Sequence, residues 1–291
     1  MGARWRNGLA CCLLVVATLA LPLAGPSAGA ARGPGMVPVA PGNRAMWLWS
    51  DAPAGAVVDW ATAHGVREVF AYVGNDVATS GQLPRLRELK RRADLAGVRL
   101  TALGGEPSWA GDHHSALAWQ RAVVATGLFV GLHVDVEPYL LPGWDTDRAT
   151  IVAGYLRLLE RLRDGSRLPV EADVPFWFGE LTTVDGRNLA TETLRRVAAV
   201  TVMAYRDTAT GPNSLYDVSR DWLSRGTVAG KRVRLAAETA AVADCPYCTF
   251  FEEGATALGV VLAEVDAATR GEPAFGGLAV HHYDAWRALG A

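Results

Sequence analysis

The chain has 291 residues, half of them hydrophobic, which is enough apolar mass for one large core and argues against general disorder. Its 28 basic and 30 acidic residues leave a net charge of −2. No basic stripe with interleaved aromatics runs through it, so a nucleic-acid partner is not expected.

At the N-terminus Arg4 and Arg6 precede an apolar run, Leu9–Leu23, and Ala28-Gly29-Ala30 follows with small residues at the spacing of a cleavage site. This is the pattern of a secretory signal peptide, and the run is shorter than the roughly twenty apolar residues of a membrane span. The expectation is removal of residues 1–30, a secreted extracellular protein, and no membrane association afterwards. Residues 31–43 are rich in Pro and Gly and read as an extended leader into a single domain over residues 44–291.

Within that domain, short β-rich apolar runs recur at Ala45–Trp49, Glu68–Val73, Val98–Leu103, Leu132–Val136, Val170–Phe178, Val200–Tyr205, Arg234–Ala237 and Gly277–His282. Stretches with helical spacing separate them, at Leu83–Ala96, Ser115–Thr126, Arg148–Arg163, Leu189–Val197, Leu215–Ser224 and Gly254–Ala268. Strands joined by helix-length crossovers form a parallel sheet, and eight of them in a domain of this length predict an α/β fold, the (β/α)8 TIM barrel. An open doubly wound sheet is the competing architecture, but no G-x-G-x-x-G turn follows an early strand.

Beyond residue 30 the only cysteines are Cys245 and Cys248, in Cys-Pro-Tyr-Cys. In an oxidising compartment they predict a local disulfide that clips a loop. Adjacent histidines, His113-His114 and His281-His282, offer at most one inward ligand each if they lie on strands, and no metal is expected. No nucleophile elbow or phosphate loop is present, and no cofactor is expected.

In such a barrel the active site forms at the C-terminal ends of the strands. The fourth predicted strand leads into His133–Tyr139 (HVDVEPY), where His133, Asp135 and Glu137 share one face. Two neighbouring carboxyls raise one another's pKa, as a general acid working near neutrality requires. Aromatic residues cluster at predicted strand ends: Trp47 and Trp49, Trp109, Trp144, and Phe176-Trp177. Their faces suit the C–H faces of sugars, and Glu106 and His282 sit where substrate hydroxyls could be met.

The segment FVGLHVDVEPY resembles the fourth-strand motif of glycoside hydrolase family 18, Asp-x-x-Asp-x-Asp-x-Glu, with Asp135 and Glu137 on its last two acidic positions. Val130 and His133 stand at the two earlier ones. Met203-Ala204-Tyr205 is similar to that family's sixth-strand signature, with Arg206 where the family has Asp. The resemblance implies that Glu137 protonates the leaving oxygen, that Asp135 orients a substrate N-acetyl group, and that Tyr205 supports it. A second resemblance, to the clan A retaining glycosidases, pairs Glu137 on strand four with Glu238 on strand seven. That pairing implies carboxyls about 5–5.5 Å apart, with Glu238 as nucleophile. Both resemblances imply a carbohydrate substrate. A non-catalytic carbohydrate-binding barrel and a metal-dependent hydrolase remain the alternatives, and oligomeric state is open.

Overall fold

The computed structural model describes Met36 and residues 39–290. The predicted signal peptide and most of the leader lie outside the described residues. From the leader the chain runs through β1 (Arg44–Leu48), α1 (Ala54–Ala63), β2 (Val66–Tyr72), α2 (Gln82–Leu95), β3 (Arg99–Gly104), α3 (His113–Thr126), β4 (Leu132–Val134) and α4 (Arg148–Asp164). It continues through β5 (Val170–Pro175), α5 (Leu189–Leu194), β6 (Ala199–Met203), α6 (Leu215–Ala229), β7 (Arg232–Glu238), α7 (Gly254–Ala268), β8 (Phe275–His281) and α8 (Tyr283–Ala288). The strands pair in sequence order, all parallel, and β8 closes on β1. The predicted TIM barrel is the observed fold. Among the described residues no helix is long and apolar enough to cross a membrane.

Strand alternation divides the apolar residues into two cores. Met46, Leu48, Val233, Leu235 and Ala237 face outward and pack under the helices. Ala45, Trp47, Phe70, Leu103, Ala236 and Ala279 face inward and form a separate cluster inside the barrel. The remaining inward positions of the lower barrel are charged. Arg234 on β7 donates to Glu171 on β5 (2.9 Å) and to Glu68 on β2 (2.9 Å), and Thr101 on β3 donates to Glu68 at 2.6 Å. Burial opposes the charge on Arg234, but its two carboxylates outweigh that and raise its pKa.

Several predicted boundaries shift for local reasons. The fourth strand ends at Val134 rather than Val136, and the fifth ends at Pro175 and passes into a 3₁₀ turn, Phe176–Glu180. Helix α1 was absent from the sequence prediction. It starts after Pro53 with no side-chain cap. His113 and His114 open α3, whose first turn is capped by the Asp112 carboxylate accepting from the Ser115 N–H (3.2 Å); they are not strand residues. The disulfide predicted from Cys-Pro-Tyr-Cys is present, joining Cys245 to Cys248 on the β7–α7 connection.

The charged floor makes a direct test of barrel energetics. Removing one partner of a buried pair strands the others, which costs about 3–5 kcal/mol. Arg234→Met is therefore expected to lower the unfolding free energy by about that amount in urea titrations. Arg91→Ala, on the exposed face of α2, is expected to leave the urea midpoint essentially unchanged.

Candidate active site at the barrel mouth

The β4 end is held by an unusually close backbone approach. Asp135 donates its N–H to Gly104 O (3.0 Å) at the end of β3. A Cβ on Gly105 would lie 2.1 Å from the Asp135 carbonyl oxygen, so only glycine fits there. A Cβ on Gly104 would lie 2.4 Å from the Trp119 ring, which is itself tied by its indole N–H to Val73 O (2.9 Å). Gly-Gly at the tip of β3 thus sets the height of Asp135 and Glu137 at the mouth.

Beneath Asp135 lies His133, fully buried. Its Nε2 meets Asp173 Oδ1 on β5 at 2.8 Å, and its Nδ1 lies 3.7 Å from Glu171 Oε2, an ion-pair distance too long for a hydrogen bond. The indole N–H of Trp47 donates to the other Asp173 oxygen (3.0 Å). Phe70 stacks on the imidazole at 3.7 Å between ring centroids, and the Arg234 guanidinium carbon lies 5.2 Å from the same Phe70 ring. Burial alone would lower the His133 pKa, but the charges of Asp173 and Glu171 win and hold it up to about 9. Glu171, between His133 and Arg234, is held far below the usual carboxyl range against its own burial.

Above this layer the electrostatics reverse. Burial, reinforced by the charges of Asp173 and Glu137, pushes the Asp135 carboxyl well above its ordinary value. Its Oδ1 is covered and has no hydrogen-bond partner. Glu137 is also raised, chiefly by burial, although the Tyr139 hydroxyl donates to its Oε1 and works in the other direction. Tyr205, after β6, is held far above the usual phenol range, first by burial and then by Glu238, Asp173, Asp135 and Glu137, so it remains a proton donor. Its ring lies 6.1 Å from that of His281.

Glu238, at the end of β7, is placed differently. Its Oε1 accepts from the backbone N–H groups of Thr239 (2.7 Å) and Ala240 (2.8 Å), and its Oε2 accepts from His281 Nδ1 at 2.7 Å. Trp49 donates its indole N–H to His281 Nε2 (3.0 Å), which fixes the tautomer with the proton on Nδ1. Both oxygens of Glu238 are therefore engaged, unlike those of Asp135.

The aromatic rim is only partly a surface. Trp47 is 1% exposed and sealed inside the barrel, and Trp109 packs against Trp119; neither offers a face to a ligand, because inward and helix-facing positions are filled. Trp144 is 9% exposed, covered by Trp177 and Arg148. Trp49 and Trp177 keep part of their surface, Trp49 beside Tyr72 and Trp177 beside Tyr139. Glu106 is exposed on the β3–α3 connection. His282 is half-buried and lowered in pKa by burial and by His281. Arg206 turns to the wall of the mouth, over the rings of Phe176 and Tyr247.

Asp173 and Glu171 were missed at the sequence level. The alternation Glu171-x-Asp173 in the fifth predicted strand carries the same signal as His133-x-Asp135 in the fourth. Among the described residues no group of three or more His, Cys, Asp or Glu is arranged to hold a metal ion.

No family model matches the chain, and no curated protein matches it. Solved structures do. The spore cortex-lytic enzyme SleL of Bacillus cereus aligns at 8% identity over 84% of this chain and 72% of that one, with a TM-score of 0.53. The GH18 chitinase ChiB of Flavobacterium johnsoniae aligns at 12% identity over 82% and 87%, with a TM-score of 0.51. A class V chitinase from Nicotiana tobaccum aligns at 15% identity over 66% of each chain with a TM-score of 0.47, so the chain spans just under two thirds of that enzyme. At these identities the shared feature is the fold, an eight-stranded parallel barrel.

The buried imidazolium makes stability depend on pH. Because the folded-state pKa of His133 lies above its ordinary 6.5, the folded protein holds a proton that the unfolded chain releases. That contribution is complete below pH 6.5 and is lost as pH rises through about 9, a change on the order of 3 kcal/mol. Thermal denaturation is expected to show a falling Tm across this window and a flatter profile in His133→Asn. An equal slope in both proteins would contradict the assignment.

Proposed function

We propose that the protein is a secreted glycoside hydrolase that cleaves O-glycosidic bonds of an N-acetylated oligo- or polysaccharide, with Glu137 as general acid and Asp135 beside it. The observation that carries this reading is the pairing of two raised carboxyls at the barrel mouth, one of them with a covered, unpartnered oxygen. A substrate amide N–H would be a donor for the half-buried Asp135 carboxyl. Tyr205, still protonated, is the donor for the amide carbonyl.

The chemistry then follows from the charge states. Protonated Glu137 gives its proton to the glycosidic oxygen as the C1–O bond breaks. The acetamido carbonyl oxygen of the same sugar bonds to C1, on the face that Asp135 and Tyr205 organise, and forms a cyclic oxazolinium. Glu137, now a carboxylate, takes a proton from the water that attacks C1, and the oxazolinium opens to the hemiacetal with retained configuration. Glu238 enters as the partner that orients His281 rather than as nucleophile, because both its oxygens already accept hydrogen bonds. Export rests on the signal-peptide pattern of residues 1–30.

Loss of the general acid typically costs 10²- to 10⁴-fold in kcat. Glu137→Gln is expected to lose that much on an aryl chitobioside with an unchanged melting temperature. A fully active Glu137→Gln protein would end the proposal, and a glycan array with binding but no turnover by the wild type would favour the carbohydrate-binding alternative. Expression of the full chain in a secreting host is expected to yield extracellular protein beginning at Ala31. Intact mass giving Met1 in the medium would contradict cleavage.

A further inference from the structure

We propose that Asp173 is a positioning residue of this site: from β5 it holds His133 as an imidazolium under Asp135 and so keeps the Asp135–Glu137 pair in its working proton state. The proposal rests on the reading of Glu137 and Asp135 as the acid pair, and its test below includes measurements that need no turnover.

The geometry begins in the strand register. Pairing His133 with Glu171 and Val134 with Ala172 brings Asp173 level with Asp135 as the two chains continue upward. Asp173 is 3% exposed, and both its oxygens are fixed, one by Trp47 at 3.0 Å and the other by His133 at 2.8 Å. A carboxylate held on two sides in a closed barrel cannot swing away when the groups above it change charge.

The titratable neighbours of Asp173 come from every side of the interior. His133 lies on β4, with Asp135, Glu137 and Tyr139 following it, Glu171 on β5 with Asp173 itself, Tyr155 on α4, Tyr205 after β6, and Arg234 on β7. His133 compensates Asp173, and Arg234 lies between Glu171 and Glu68. The column ends on the negative charge of Asp173, beside Asp135 in the strand register. A second negative charge on Asp135 would be uncompensated, so the pair above shares the proton that Glu137 delivers.

Removing either member of the lower pair should move the upper pair in opposite directions. Asp173→Asn deletes the repelling charge, which acts on Asp135 more strongly than the His133 cation it helps to hold, so the carboxyl titrations of Asp135 and Glu137, and the alkaline limb of kcat, are expected to fall by up to about one pH unit. The KM should change by less than about twofold, since Asp173 does not touch substrate. His133→Asn leaves Asp173 uncompensated and is expected to move the same titrations upward. A residue that merely supported packing would lower stability without opposite shifts.

The readouts are ¹³C NMR titration of the side-chain carboxyls in the substrate-free protein and pH profiles of kcat and KM. Nitrogen-15 NMR of wild-type His133 at pH 8 needs no variant and is expected to show an imidazolium. A neutral His133 at that pH, or carboxyl titrations that move in neither variant, would overturn the proposal. Failure of the wild type to cleave any glycan would count against the enzyme reading alone, because the NMR titrations still decide the role of Asp173.

Discussion

The contact between His133 and Asp173, 2.8 Å across the inside of the barrel, is the one on which floor and mouth both depend. An eight-stranded barrel is just wide enough for its own side chains to fill it, so inward charges have no water to retreat to. Here they are stacked with alternating sign: Glu68, Arg234, Glu171, His133 and Asp173. Each carries a neighbour of opposite charge. The stack ends at the mouth, where the next groups are again acidic, and that break in alternation adds to burial in raising the pKa of both Asp135 and Glu137.

The two glutamates at the mouth show how environment separates identical side chains. Glu238 sits against two backbone N–H groups and a histidine whose other nitrogen is already engaged by Trp49. Glu137 has burial and a nearby Asp173 on one side of the balance and the Tyr139 hydroxyl and His281 on the other, and its pKa rises. Identical side chains thus stand in different surroundings, one held by three N–H donors and the other by a single hydroxyl.

The barrel was legible because alternating strand and helix patterns are repeated, so an error in any one element does not change the sum. Boundaries were less so. Asp135 and Glu137 look like strand residues by alternation, yet β4 ends at Val134 because Gly104 and Gly105 draw the chain tip toward β3. The mouth was legible where one strand carried its own signal, as in His133–Tyr139. It was opaque where the chemistry is a contact across the barrel, since nothing in the order of residues says that Asp173 meets His133 or that Trp47 is sealed while Trp49 is not. Aromatic content near strand ends has the same ambiguity: Trp47, two positions before Trp49 and on the same face, lies one layer deeper and is spent on packing.

The departures from the family 18 pattern acquire different weights once placed. Val130 lies before β4, its N–H bonded to Leu100 O at the opposite end of the strand from the mouth, so an apolar residue there costs the site nothing direct. His133 is different, because it occupies the interior position immediately below Asp135. A histidine there would oppose the protonation of Asp135 if it acted alone, since a cation favours the charged carboxylate. The negative charge of Asp173 offsets it and adds its own repulsion, so the histidine on β4 is balanced by an acid on β5. The fold is shared with chitinases at barely a tenth sequence identity, and a shared barrel says little about chemistry. The pairing of His133 with Asp173 beneath the two carboxyls is an argument about the site itself.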